Sequence, residues 1–543
     1  MYETLTDETT KLLPKKHGIP DPILDNRSDR DKRFSQFLIL FSILCERAAF
    51  YSLVLNLVSS LSSDGLLHWS ASHSSFAAFL FSGISNISAI IFAIISDGLY
   101  RRAITISAGF VIYLFGYGFA IAVTNPSANV CIPSLRNATV PQPASSLIDE
   151  PCASWILPVL SVIAIGSGAI QSNMAVFGAE QTQTSKATTR YFDQYLVAVN
   201  IGGIIGSLMV SLIQKDIKSY FVGYSVAAGL LVCSFLLFII GYRYYLHVEP
   251  IDTVVRTCYR YVITSLRLRW QAKKERRDST SSGDETNPRN SGRFTDRMVN
   301  DIKSFRRALL VFSLLIPYFL IYNQISSTFP LQGEHMWKPA GVRNIVTLMI
   351  LADPVTLIIG LVIIYLVFYR GRDWPHTETT IHRKFLVGMF LACIAMLIAG
   401  TLEKYRRDTC DPKTDKSSIS IYYLLGQNIC MGVSEVFAML ASFEYAYFAA
   451  PRSAQSLFMS LRFVSIGIAS FIGSGLINLY PNTSFNLDFS CRAEDTMDWA
   501  FYCYFFIIAF VQFVFFIIFY ASQSAFHLIE ISPQQIEKGY SAN

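Results

Sequence analysis

Long apolar runs separated by polar segments dominate this chain. Each run reaches the length of about 20 residues that a helix needs to cross the hydrocarbon layer of a membrane. The runs lie near residues 36–61, 73–96, 103–123, 153–174, 191–213, 220–244, 308–329, 344–369, 385–402, 419–449, 455–479 and 498–521. This pattern predicts an all-α polytopic membrane protein with twelve transmembrane helices, and the even number places both termini on one side.

The composition agrees with a lipid environment. Of 543 residues, 52% are hydrophobic and 15% are charged, whereas a soluble domain has about 25% charged residues. The net charge of +6 is carried by the loops and does not call for a nucleic-acid partner. A polar tail precedes the first run, so we expect no removable signal peptide.

Lysine and arginine concentrate in alternate loops, which predicts the cytoplasmic side of the membrane. They include Arg101, Arg102, Lys186, Arg190 and the basic residues of segments 243–307 and 370–384. Both tails fall on this side. Lys404, Arg406 and Arg407 lie in an opposite loop, where they weaken the bias without reversing it.

The opposite loops carry features of an oxidising compartment. They contain two glycosylation sequons and four of the ten cysteines, at Asn137, Asn482, Cys131, Cys152, Cys410 and Cys491. Because exposed unpaired cysteines are reactive, we expect two disulfides here rather than four free thiols. No metal-ligand spacing occurs in the sequence, and we expect neither a metal nor a cofactor.

A polar insert over 245–307 divides the apolar runs into two sets of six. The predicted domains are therefore a bundle over 36–244 and a bundle over 308–523, with cytoplasmic tails at 1–35 and 524–543. This is the architecture of the major facilitator superfamily, whose substrate site lies near the midplane between the halves. The insert reads as a basic surface helix, lying against lipid headgroups or simply solvated, followed by a disordered loop.

Charged residues inside the runs are candidates for function, because an ionisable group at bilayer depth is costly unless it meets a cavity or a partner. Glu46 and Arg47 are adjacent in the first run, and neighbours in sequence diverge around a helix, so we expect both to find partners on other helices. Glu435 lies deep in the tenth run. Glu444, nearer the cytoplasmic end, suits a structural ion pair.

Separated opposite charges suit a zwitterionic solute. Arg47 is able to bind a carboxylate, and Glu435 to receive an ammonium group. Asn200, beside Gly202 and Gly203, serves either ligand binding or close helix packing. No histidine accompanies these residues in a nucleophile and base arrangement, which disfavours an enzyme.

Several of these residues belong to longer stretches that resemble the proton-dependent oligopeptide transporter family, in particular its lysosomal peptide/histidine branch. The stretches are residues 46–51 (ERAAFY), 166–181 (GSGAIQSNMAVFGAEQ), 195–203 (YLVAVNIGG), 326–336 (SSTFPLQGEHM) and 432–461, which begins GVSEVFAMLASFEYAYFAAPRSAQ. The resemblance covers nearly all of 35–523. It implies a major facilitator fold and the transport of a short peptide or an amino acid.

The resemblance also implies roles for individual residues. Arg47 would contact the substrate carboxylate, Tyr51 would shape the pocket, and Asn200 would hydrogen-bond the substrate main chain. Glu435 would bind the amino end with the support of Ser434. Asn344 would correspond to another pocket amide.

Two departures from the family pattern bear on proton coupling. Ile43 stands where the family has a first-span glutamate, and Gln171 stands where it has a fourth-span lysine. In the family these groups form a proton-sensitive pair, and losing both avoids an uncompensated buried charge. Glu46 and Glu435 are the remaining candidates for proton coupling, and a facilitated carrier is an alternative.

Arg462 occupies a position where the family has an aromatic pocket residue. In one interpretation it replaces the positive charge lost at Gln171 and engages Glu435 or an anionic substrate. In the other, its side chain extends to the cytoplasmic surface, because it lies about two turns from the start of its helix.

The amino-terminal tail contains an acidic dileucine pattern formed by Glu8, Leu12 and Leu13. It predicts sorting to the lysosomal or endosomal membrane through cytoplasmic adaptor proteins, although such short patterns arise easily by chance. The sequence thus favours a carrier of short peptides or histidine. A transport-impaired scaffold or sensor that recruits a cytoplasmic partner is the alternative.

Overall fold

A computed structural model describes most of the apolar runs. The described residues are 27–61, 69, 71–125, 147–149, 152–182, 185–216, 220–250, 296–339, 345–368, 378–411, 416–451, 454–478 and 501–526. Within these ranges, eleven helices are long and apolar enough to cross a membrane, and one bent helix pair provides a twelfth span. The predicted all-helical membrane architecture is confirmed.

Six helices, α1 to α6, account for the first six runs. They are Asp29–Leu61, Ala71–Gly98, Arg102–Thr124, Ala153–Glu180, Ser185–Asp216 and Tyr220–Gly241. Helix α1 packs against α5 and α6, and α4 packs against α2 and α3. The first six spans therefore contact one another extensively.

Nine helices, α7 to α15, account for the last six runs. They are Asp296–Leu314, Ile316–Tyr322, Thr328–Glu334, Ile345–Ile350, Ala352–Phe368, Glu378–Asp408, Leu424–Phe448, Gln455–Asn478 and Phe501–Phe526. Single 3₁₀ turns lie at Leu147–Asp149, Asn323–Ser326 and Ile421–Tyr423, and strands β1 (Cys410–Asp411) and β2 (Lys416–Ser417) form an antiparallel pair. Helix α12 packs against α13 and α15, and α13 also packs against α11.

The seventh span is not the single helix that its apolar run predicts. It bends by 45° between the segments Ile302–Leu314 and Ile316–Glu334. Pro317 stands in the first turn of α8, where a missing N–H is tolerated but where it would interrupt a continuous helix. The bend directs the 3₁₀ turn at Asn323–Ser326 towards the middle of the molecule, where Asn323 lines the central cavity.

The two sets of helices meet along α2 with α14 and along α5 with α11. Ser470 of α14 donates a hydrogen bond to Ser82 of α2 at 3.1 Å. These contacts enclose a space between the two sets. The domain boundaries at 36–244 and 308–523 stay predictions, since most of the insert between them lies outside the described residues, and α7 begins within it.

A buried charge cluster joins the two sets on the side that the basic loops predict to be cytoplasmic. Arg102 pairs with Asp97 at 2.6 Å and with Glu180, and its Nε donates to Ser456 Oγ at 2.7 Å. The second carboxylate oxygen of Asp97 accepts the backbone N–H of Leu457 at 2.8 Å, in the first turn of α14. We call these residues the Arg102 cluster.

Several predicted residues lie outside the described ranges. They are Glu8, Leu12, Leu13, Cys131, Asn137, Asn344, Asn482 and Cys491. Cys152 and Cys410 each take part in a disulfide. Their pairing, the glycosylation sites and the sorting signal stay predictions.

Candidate functional site

A cavity with about 1140 Å³ of free space, part of it continuous with solvent, lies between the two sets of helices. Residues of α1, α2, α4 and α5 line one side, and residues of α8, α11, α13 and α14 line the other. The structure brings together every predicted substrate-binding residue that it describes: Arg47, Tyr51, Gln171, Asn200, Glu435 and Arg462. The described members of the predicted set therefore line one cavity, and their roles in substrate binding stay predictions.

Two glycines bring cavity-lining backbones together. A Cβ atom added to Gly202 on α5 would clash with the carbonyl oxygen of Leu44 on α1, beside Arg47. A Cβ atom added to Gly432 on α13 would lie 2.5 Å from the carbonyl oxygen of Asp353 on α11. Only glycine permits these approaches, and each one positions a charged side chain at the cavity wall.

Glu46 and Arg47 pair with each other, contrary to the expectation that both need partners on other helices. Arg47 Nε lies 2.5 Å from Glu46 Oε2, and Arg47 Nη2 lies 2.6 Å from Glu46 Oε1. The long arginine side chain folds back along the helix and reaches the carboxylate despite the divergence of the two Cβ atoms. Arg47 Nη2 also donates to Ser167 at 3.3 Å, and its guanidinium lies over the ring of Phe50.

Gln171 replaces the expected charged group with a neutral bridge. Its carbonyl oxygen accepts a hydrogen bond from Arg47 Nη1 at 3.5 Å, and its amide nitrogen donates to the carbonyl oxygen of Ser85 at 3.3 Å and to Asn86 at 3.4 Å. Ile43 is fully buried among apolar residues. The described residues thus hold no charged pair at these two positions.

Arg462 faces the cavity, which shows that the surface-directed interpretation was wrong. Its side chain is buried, and its guanidinium lies 3.9 Å above the centre of the Phe443 ring. Nε donates to Ser442 Oγ at 2.7 Å, and Nη2 contacts Met439 Sδ at 2.5 Å. Within the described residues no carboxylate lies within 4.0 Å of Arg462, so the expected pairing with Glu435 is absent.

Sequence reasoning missed Asp353, which lies beside Glu435. Asp353 stands near the start of α11, is 6% exposed and lines the same cavity. The two carboxyl groups are adjacent, and Asp353 Oδ1 and Glu435 Oε1 have no hydrogen-bond partner among the described residues. The signal was available, because a carboxylate inside an apolar run meets the same criterion that selected Glu435.

Three further polar residues clarify earlier expectations. Ser434 donates a hydrogen bond to the carbonyl oxygen of Gly388 at 2.7 Å. It therefore links α13 to α12, and its hydroxyl proton is not directed to Glu435. Glu444 pairs with Lys384 at 2.9 Å, as a structural role predicts. Asn200 donates to the carbonyl oxygen of Leu196 on its own helix at 2.9 Å and lines the cavity.

Aromatic hydroxyl groups complete the cavity wall. Tyr51 of α1 and Tyr322 of α8 interact across the boundary between the two sets of helices, and Tyr195 of α5 lines the same space. In the described ranges, no group of three or more His, Cys, Asp or Glu side chains is arranged to hold a metal ion. The cavity therefore offers arginine, carboxyl, amide and hydroxyl groups to a ligand.

Comparison with known proteins decides the family. The model of the POT family matches residues 103–491, more than half of the chain. This chain belongs to the POT family. The family resemblance that the sequence motifs indicated is thereby confirmed.

Individual relatives and solved structures agree with the assignment. Solute carrier family 15 member 3 of Rattus norvegicus is 27% identical over 89% of this chain and 90% of its own length. The crystal structure of the POT family transporter PepTSo superposes with a TM-score of 0.67 at 17% identity, over 93% of this POT family member and 99% of that chain. An auto-inhibited POT family peptide transporter superposes with a TM-score of 0.65 at 18% identity, over 90% and 96%. The major facilitator fold is confirmed.

Proposed function

We propose that this POT family member is a secondary transporter that moves short peptides, histidine or both across the lysosomal or endosomal membrane by alternating access. The observation that carries the proposal is the placement of Arg462 and of the adjacent Asp353 and Glu435 carboxyl groups on the wall of one cavity, where none of the three forms an ion pair with a described residue. A zwitterion supplies a direct ion partner to each side of the cavity. A fold of two helix sets that rock around a central site fits this activity.

The proposal assigns the substrate carboxylate to the arginine side of the cavity. Arg462 uses two of its five N–H groups within the described chain, in its contacts with Ser442 and Met439, and the other three are available to a carboxylate. Arg47 gives two of its donor atoms to Glu46 and offers mainly Nη1. Arg462 is therefore the principal carboxylate contact, and Arg47 is a second contact.

The proposal assigns the substrate amino group to the carboxyl side. Glu435 and Asp353 present oxygen atoms with no N–H or O–H donor from the described chain at Asp353 Oδ1 and Glu435 Oε1, and an ammonium group would supply such donors. Asn200 and Tyr51 lie between the charged sides and suit the substrate main chain. One of the solved structures to which this chain is similar is that of a peptide transporter, which supports a peptide as the substrate.

Uptake into vesicles tests the proposal. The purified protein is reconstituted into liposomes, and uptake of a labelled dipeptide and of labelled histidine is measured with and without an inward proton gradient. Saturable uptake that an unlabelled dipeptide inhibits is the expected result, with protein-free liposomes as the control. Absence of saturable flux for both substrates would contradict the proposal and favour the scaffold or sensor alternative.

The membrane location needs a separate experiment. The dileucine pattern predicts that the wild-type protein, carrying a fluorescent tag, colocalises with a lysosomal marker in cells. Replacement of Leu12 and Leu13 by alanine is expected to move the protein to the plasma membrane, with Leu5→Ala as the control within the same tail. Lysosomal location that persists in the Leu12→Ala, Leu13→Ala variant would exclude this signal.

A further inference from the structure

Asp353 is a cavity residue to which the family motifs assign no role, and it lies beside Glu435. Gly432 lets α13 approach the backbone of Asp353 on α11, and the two carboxyl groups lie beside each other on the wall of one cavity. Both residues are almost fully buried, with exposed fractions of 6% for Asp353 and 3% for Glu435. The close approach of the α11 and α13 backbones therefore places the two carboxyl groups beside each other. Flexible surface side chains do not determine this contact.

A contact between two carboxyl groups needs a proton. Ionised carboxylates only accept hydrogen bonds, so two adjacent ionised groups repel each other and leave oxygen atoms unsatisfied. One added proton turns the contact into a short O–H···O⁻ hydrogen bond. Asp353 Oδ1 and Glu435 Oε1 lack any donor from the described residues, which is the condition that a proton relieves.

Among the described residues, no cation forms an ion pair with either carboxyl group. Tyr318 and Tyr322 of α8, Tyr51 of α1 and Arg462 of α14 face the pair from the helices around it. Tyrosine hydroxyl groups are neutral near pH 7, and Arg462 forms no ion pair with either carboxylate. The charged residues Lys384 and Glu444 on α12 and α13 satisfy each other.

The charges of the cavity balance when the pair holds one proton. Glu46 and Arg47 neutralise each other, and a singly protonated pair carries one negative charge that balances Arg462. A zwitterionic substrate adds no net charge, so the proton is retained when the substrate binds. Without the proton, the occupied cavity would enclose an uncompensated negative charge, which is unfavourable in a medium of low dielectric constant.

We propose that the Asp353–Glu435 carboxyl pair is a proton-binding site that holds one proton and carries it together with the zwitterionic substrate. The pair thereby takes the place of the family's charged pair, whose two positions are occupied by Ile43 and Gln171 in this chain. Binding forms one O–H bond on a carboxyl oxygen with a proton from water, and release returns that proton to water on the other side. This inference rests on the proposed function for the transport step alone.

Infrared spectroscopy of the purified, substrate-free protein tests the site without transport. The C=O stretching band of a protonated carboxyl group is recorded near neutral pH for the wild type and for Asp353→Asn and Glu435→Gln. Each substitution supplies an amide donor to the remaining carboxylate, so we expect both variants to lose the amplitude of one protonated carboxyl group. Glu444→Gln is the control that keeps this amplitude, because Glu444 pairs with Lys384 and lies outside the Asp353–Glu435 pair. Amplitude that survives either substitution within the pair would overturn the proposal.

Transport tests the coupling. For each protein, gradient-driven uptake is divided by counterflow of the same labelled dipeptide, which needs no proton gradient, so that changes in binding or protein amount cancel. The wild-type ratio is expected to rise with an inward proton gradient, and the Asp353→Asn ratio to lose this rise. A rise that persists in Asp353→Asn would refute the coupling role.

The two measurements separate the two proposals. If the wild type shows neither uptake nor counterflow, the proposed function fails, and the infrared band still decides whether the pair holds a proton. If Asp353→Asn is inactive in both transport assays, the infrared comparison again decides, with melting temperature as the check that the variant is folded. If the wild type transports without any effect of the gradient, the coupling fails and the proposed function stands.

Discussion

The Arg102 cluster and the central cavity both bury arginine, yet they treat its charge differently. Arg102 meets the carboxylates of Asp97 and Glu180, whereas Arg462 meets an aromatic ring, a hydroxyl group and a thioether. Since a buried charge without an ion pair is unfavourable for folding, the arrangement around Arg462 suits the proposed substrate site, where a ligand would supply the counter-charge. The arrangement around Arg102 indicates a permanent link between helices.

The largest effect is expected in the Arg102 cluster. Arg102→Gln leaves two buried carboxylates without a cation, and breaking a buried ion pair on one side costs about 3–5 kcal/mol of unfolding free energy. A clearly lower melting temperature in detergent is the expected result. The same change at Arg462 serves as the matched comparison, and equal losses at both positions would remove the distinction between the two regions.

A similar effect is expected at Arg47, with a partial rescue. Arg47→Gln leaves Glu46 charged and buried, which costs about 3–5 kcal/mol, whereas adding Glu46→Gln removes the stranded charge and restores most of the loss. Thermal unfolding of the two variants measures this difference. If the double variant is no more stable than Arg47→Gln, the pairing of adjacent residues does not determine stability here.

At Arg462, the effect is expected on binding instead of stability. Arg462→Gln removes charged hydrogen bonds to the substrate carboxylate, which weakens binding by about 2 kcal/mol, or roughly 30-fold in the dissociation constant. The melting temperature should fall less than in Arg102→Gln, because no described carboxylate forms an ion pair with Arg462, whereas Arg102 pairs with two. Arg383→Gln, an exposed position on α12, is the control. Unchanged dipeptide affinity in Arg462→Gln would place the carboxylate elsewhere.

The smallest effect is expected at an exposed pair beside the Arg102 cluster. A hydrogen bond from Arg101 holds the pKa of the Glu249 carboxyl below its usual range. The Arg101–Glu249 pair contributes to folding stability at pH values above the pKa that Glu249 has in the unfolded chain. This contribution is lost as the pH falls through the lower pKa that Glu249 has in the folded protein. Water and salt screen it, so Glu249→Gln should leave the melting temperature unchanged at physiological ionic strength. A large fall in the melting temperature would show that solvent exposure does not limit the contribution of this ion pair to stability.

Some residues were selected from the sequence because a charged side chain is unfavourable in lipid. These residues line one cavity, as the sequence predicted. Arg47, Glu435 and Arg462 were selected because each is charged inside an apolar run, and all three line one cavity. Asp353 meets the same criterion and was overlooked. The bend at Pro317 was also open to prediction, since proline interrupts a helix, although its angle depends on the helices packed around it.

The apolar runs by themselves determined the membrane environment, the number of spans and the residues that need an explanation at bilayer depth. Hydrophobicity and charge are properties of single residues, so a linear pattern contains them. Only the tertiary structure decided that Glu46 neutralises Arg47, that Arg462 faces the cavity and that Asp353 contacts Glu435. Those outcomes depend on which helix faces meet and on how closely glycine lets backbones approach, and residues distant in sequence set both.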